Sequence, residues 1–180
     1  EIKGALARLS SQDAEHHDQF RSRIKQLRMS TVAFDKCPDA CLNELMQTVL
    51  NSATTLCLLT ALFEVVKPAQ IAAIHAYKGK TQPLVDDPTL QLMKHQLIDR
   101  EEQMDWGREA HQHVRHTASD VEKAEADRWK TYVEQLLAAA GGITGWEERV
   151  SVDPSVRITT EPFAMPQTST RDSRFRSQVV

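Results

Sequence analysis

Ile2, Leu6, Leu9, Phe20, Ile24 and Leu27 recur every three or four residues, which predicts a helix over residues 1–28 with one apolar face. Asp13 and His16 fill that same face between Leu9 and Phe20. Leu90, Met93, Leu97, Met104 and Val114 predict a long helix over about residues 89–116, and Arg100 and Gln103 interrupt its inner stripe. Residues 41–66 are the most apolar stretch, with no charged residue between Glu44 and Glu64. They predict a central helix buried on most sides. Pro38 and Asp39 mark its start after a connector over 30–40, and Lys67-Pro68 predicts a break after it. A short helix over 69–78 closed by Gly79 follows, then a loop carrying Pro83, Asp86, Asp87 and Pro88. Trp129, Val133, Leu136, Leu137 and Ala140 predict a last helix over about 119–140, stopped by Gly141-Gly142.

Beyond the glycine pair the pattern changes. Pro154, Pro162 and Pro166 are interspersed with Ser, Thr and Arg, and no apolar period persists. The sequence therefore predicts an all-α helical bundle over residues 1–146 and an extended irregular tail over residues 147–180. Such a tail cannot bury enough apolar surface to order itself. Val150, Val152, Val156, Ile158 and Phe163 are candidate anchors, and Arg171, Arg174 and Arg176 can pair with acidic groups on a neighbour. The expectation is a tail laid across a partner chain, either another protein or a second copy. The alternative is a tail that wraps back over its own bundle.

A net charge of −3 with only short basic patches excludes a nucleic-acid-binding signature. Leu45–Phe63 has nearly the length of a membrane span, but seven Gln, Asn, Ser and Thr side chains lie inside it. The soluble-bundle reading is therefore preferred. The cysteines Cys37, Cys41 and Cys57 form no disulfide framework, which suits reduced thiols in a cytoplasmic compartment. No secretory leader is visible, and the start at Glu1 reads as that of a processed or truncated product. His111, His113 and His116 read as a solvated helix face.

The polar interruptions are the candidate chemistry. Buried polar side chains need partners or a bound ion. An acid and a histidine three residues apart aim at one point from a helix face, and hard carboxylate oxygens with imidazoles suit a pair of iron or manganese ions. Asp13 and His16 have that spacing. Glu64 falls on the stripe of Val49, Ala53, Leu56 and Thr60, where a single bridging carboxylate is expected. Each piece alone has a plainer explanation: the spacing recurs by chance, and Glu64 can cap the Lys67-Pro68 break or face water. Joint placement on core stripes favours a site inside the bundle.

With Leu97-Ile98-Asp99-Arg100-Glu101-Glu102-Gln103-Met104-Asp105-Trp106-Gly107 added, residues 1–116 resemble the ferritin-like superfamily, especially its oxidase-type members. The resemblance implies a helical bundle with a dinuclear carboxylate centre. It makes Asp13 and His16 a ligand pair, Glu64 the carboxylate of the next helix, and Asp99 the acid beside the last ligand pair. Arg100 stands where a ligand Glu belongs and Gln103 where a ligand His belongs, and a further upstream helix with a ligand acid is missing. Arginine presents only donors and cannot bind a metal. The expectation is thus a degenerate, non-catalytic subunit without cofactor, holding Arg100 as a permanent cation between Asp13 and Glu64 and serving in a larger assembly. The alternative is a di-iron or di-manganese oxidase-like enzyme using residual ligands.

Overall fold

The computed structural model describes residues 2–32, 39–158 and 164. Among these residues every regular element is a helix: α1 (Ile2–Gln26), α2 (Ala40–Leu50), α3 (Thr55–Lys80), α4 (Pro83–Thr117) and α5 (Asp120–Ala139). The expectation of an all-α chain holds. Cys37, Pro38, Phe163 and the three tail arginines lie outside the described residues.

Three helix boundaries differ from the sequence expectation, each for a local reason. The apolar stretch 41–66 is not one helix. It stops at Leu50, turns through Asn51 and Ser52, and restarts at Thr54, whose hydroxyl accepts from the Cys57 amide. Polar groups able to cap supply the break, as Asp39 does at the start of α2 by accepting from the Leu42 amide. Leu45–Phe63 is consequently not a single rod. The helix apolar and long enough to cross a membrane is instead Thr55–Lys80, half of whose apolar window is buried inside the protein.

The predicted break at Lys67-Pro68 is absent, and α3 runs through it. Proline has no amide hydrogen, and its ring crowds the carbonyl four residues back. The chain accommodates this by widening Ala61–Val66 into a π turn, in which the Lys67 amide reaches the Leu62 carbonyl five residues away. The same kind of accommodation brings the proline-bearing segment after Gly79 into α4. Asp86 there leaves helical geometry before Pro88, and its carboxylate accepts from Tyr77 at 2.5 Å and from Thr81 at 2.9 Å.

The largest apolar core joins α2, α3 and α5 through Leu45, Val49, Leu56, Ala61, Trp129, Tyr132 and Leu136. Two smaller cores tie α1 and α4 to α3: Leu9, Leu59, Phe63 and Met104 at one level, and Ile74, Met93 and Leu97 with Phe20 at another. The interrupted stripes of α1 and α4 place their polar residues between these two levels. Gly107 is required here, because a Cβ at that position would overlap the Phe63 ring.

α5 begins in a reciprocal cap, Ser119 with Glu122, and ends where Gly141 and Gly142 take positive φ of 74° and 72°. The chain then turns back. Arg149 pairs with Asp39 at 2.7 Å, Arg157 with Glu44 at 2.9 Å, and Val152 and Ile158 pack on the main core. Residues 147–158 therefore lie on their own α2 and α5, the alternative the sequence offered for the tail. Val152 and Ile158 anchor the segment on an apolar seam, one on each side of a turn closed by the Val156 amide on the Asp153 carbonyl.

Candidate functional site

α1, α3 and α4 converge on a buried polar network between the two smaller cores. At its centre is Lys67, whose side chain is 5% exposed. Its ammonium donates to Asp13 Oδ2 at 2.5 Å and to Gln103 Oε1 at 2.7 Å. The Gln103 amide, oriented by that bond, donates from Nε2 to Gln12 Oε1 at 3.1 Å. Arg100 is also buried. Its Nη1 donates to Gln70 Oε1 at 2.7 Å and stands 3.7 Å from Asp13 Oδ1. One carboxylate thus serves two buried cations. Burial holds the Lys67 ammonium below its ordinary pKa, the Asp13 hydrogen bond works against that, and the neighbouring Arg100 charge adds to it. Burial likewise pulls Arg100 down, opposed by Asp13 and Asp99.

His16 is buried one turn from Asp13 but faces elsewhere. Its Nε2 lies 2.8 Å from Asp99 Oδ2, and because a carboxylate only accepts, this nitrogen carries the hydrogen. Gln96 fills the remaining space, donating to the His16 carbonyl at 3.3 Å and to Gln19 at 3.1 Å. Four buried polar atoms in this region have no hydrogen-bond partner: Asp13 Oδ1, His16 Nδ1, Gln96 Oε1 and Arg100 Nε.

Glu64 belongs to a second network. It accepts from Lys130 at 2.7 Å and stands 3.3 Å from His111 Nδ1, while His111 Nε2 lies 3.0 Å from the Thr60 hydroxyl. The Glu64 carboxylate faces Nδ1, and the bond to Thr60 uses the other ring nitrogen. Burial, the largest influence, lowers the His111 pKa, with Glu64 opposing. Thr60 is 1% exposed, so its hydroxyl ties α3 to α4 rather than meeting a substrate. The expectation of a solvated histidine face is corrected at His111, because α4 turns that residue into the bundle beside Phe63 and Glu64.

The structure therefore brings Asp13, Arg100 and Gln103 together, pairs His16 with Asp99 beside them, and sends Glu64 to the opposite network. Asp13, His16 and Glu64 share no hydrogen-bonded centre. The π turn explains the divergence. In an α-helix residues three apart sit about 60° apart around the axis, whereas the wider π turn advances less per residue and separates them further. Glu64 consequently faces α5 and Lys67 faces α1. Lys67, Gln12 and Gln70 were not expected in the site. The available signal was that Glu64 and Lys67 are the first charges after the uncharged run, three residues apart. Among the described residues, no three His, Cys, Asp or Glu side chains are grouped to hold a metal.

No family model matches the chain, and no similar curated protein or solved structure was found.

Proposed function

We propose that this chain is a non-catalytic helical subunit of ferritin-like descent, in which an ammonium takes the place of a dinuclear metal centre and the bundle serves as an interaction component of a larger assembly. One observation carries this reading: the Lys67 ammonium sits between Asp13 and Gln103, where the helix stripes converge. The group the sequence pointed to for this role was Arg100; Lys67 holds the closer bond and Arg100 stands behind it. The donor set does not fit iron or manganese. Asp13 is committed to Lys67, His16 presents to Asp99 the nitrogen that carries its hydrogen, Glu64 is held by Lys130, and two buried cations repel a divalent ion. A fixed cation at that point balances the half-buried Asp13 without a metal.

Metal analysis tests the reading. The purified chain is loaded anaerobically with ferrous iron or manganese, desalted and analysed, and oxygen uptake is followed. We expect fewer than about one ion per ten chains and no uptake above that of free iron, since too few uncommitted ligands remain. Stoichiometric metal lost on Asp13→Asn would instead support the di-iron or di-manganese oxidase reading. The assembly role is tested by mass photometry and affinity capture of the full chain. A strictly monomeric chain that retains no protein partner overturns it.

A further inference from the structure

Behind the polar network, α3 and α4 leave a cavity of about 250 Å³ whose floor includes Arg100 and Gln70. Its walls are apolar: Phe20, Ile74, Tyr77 and Met93 from the helices, with Ile143 and Trp146 from the turn after α5. Among the described residues, the guanidinium is the one charged group lining it. Arg100 is 7% exposed, and its Nε carries a hydrogen without a partner. Its side chain lines the cavity, where an anion can pair with the guanidinium. The Nη1 side is already committed to Gln70 and Asp13. Charge points the same way. Asp13 is the nearest carboxylate to both Lys67 and Arg100, and its short bond is to Lys67, which leaves Arg100 the less compensated cation. At the rim, the Lys80 ammonium stands 5.8 Å from the Trp146 ring centroid, so the entrance is also positive.

From this geometry we propose that the cavity is a binding site for an amphiphilic monocarboxylate, its carboxylate on Arg100 and its hydrocarbon body between Phe20, Met93 and Trp146. An apolar pocket with one convergent charged anchor is the usual construction of a small-ligand site. A water occupies about 30 Å³ and a methylene is of similar size, so the cavity takes a body of roughly eight such units. The proposal is independent of the metal question, because the cavity is lined by Arg100 and not by Asp13, His16 or Glu64.

Calorimetry with octanoate on the full chain tests it, with 1-octanol as the uncharged probe. The expected result is saturable binding of one octanoate per chain, at least tenfold tighter than octanol. Ala73→Phe, which fills the cavity from its partly exposed wall, should abolish octanoate binding while the helical circular dichroism is retained. Arg100→Met, where it folds, should weaken octanoate at least tenfold and leave octanol unchanged. Equal affinity for octanoate and octanol, octanoate binding that survives Ala73→Phe, or no saturable heat up to the solubility limit each overturns the proposal. The octanoate–octanol comparison needs no variant, so a misfolded Arg100→Met leaves the test intact.

Discussion

Removing either partner of the Lys67–Asp13 pair should have unequal consequences. The ammonium is 5% exposed and the carboxylate 40% exposed. Two unit charges about 3 Å apart attract by roughly 5 kcal/mol at an effective dielectric near 20, and burying an ion costs several kcal/mol. In Asp13→Asn the attraction disappears while Lys67 and Arg100 remain buried together. The expected loss is about 3 kcal/mol, at the low end for a broken buried pair because Lys67 can shed its proton instead. In Lys67→Met the remaining carboxylate is hydrated on its exposed side and keeps Arg100 at 3.7 Å. The thioether also fills the apolar path of the lysine stem. That loss should stay under about 1 kcal/mol. Urea unfolding at pH 7 and pH 10 reads both. The folded pKa of Lys67 lies below its ordinary 10.5, so between those two values the unfolded chain binds the extra proton and stability rises with pH. Losing the Asp13 bond lowers the folded pKa further, so the Asp13→Asn deficit should shrink at pH 10. The reasoning fails if Lys67→Met costs more than Asp13→Asn, or if the Asp13→Asn deficit is the same at both pH values.

Gly107→Ala should destabilise by about 1–3 kcal/mol despite alanine's better helix propensity, because the added methyl overlaps Phe63; thermal melts check it, and Phe63→Leu should restore part of the loss. Burial holds the folded His111 pKa below 6.5, so its contribution is complete above pH 6.5 and is lost as pH falls through the folded value; His111→Gln should flatten the stability profile between pH 6.5 and 5. Truncation after Gly145 should lower the melting temperature by several degrees through loss of Val152 and Ile158 from the core, since about 1 kcal/mol shifts a domain of this size by 2–4 °C.

The all-helical class was legible in the 3.6-residue periods, as were the inward positions of Asp13, His16, Arg100 and Gln103, because each interrupts an apolar stripe. The partners of those residues were not legible. A stripe gives the face of one helix but not its register against the next. Asp99 therefore meets His16 from a half-exposed position, and Gln12 meets Gln103, with nothing in the spacing to announce either contact. Glu64 was misplaced because its stripe was extrapolated from Val49 and Ala53 across a break that Thr54 caps, and then carried toward Pro68 through a turn that is not α. Residues 147–158 showed the reverse difficulty. Their composition excludes a helix, yet Val152 and Ile158 find a seam that only the assembled α2 and α5 create.

The widened turn at Ala61–Val66 makes α3 two rods with separately set phases. Each π residue advances less around the axis than an α residue, so six of them turn the chain about as far as five α residues would. Deleting one residue within the turn would return the hydrogen bonds to α register and leave Lys67 near Asp13 and Ile74 in its core. Deleting one residue elsewhere in α3 would swing everything after it by about 100°. The turn is thus the place where α3 can change length by one residue without dismantling the polar centre.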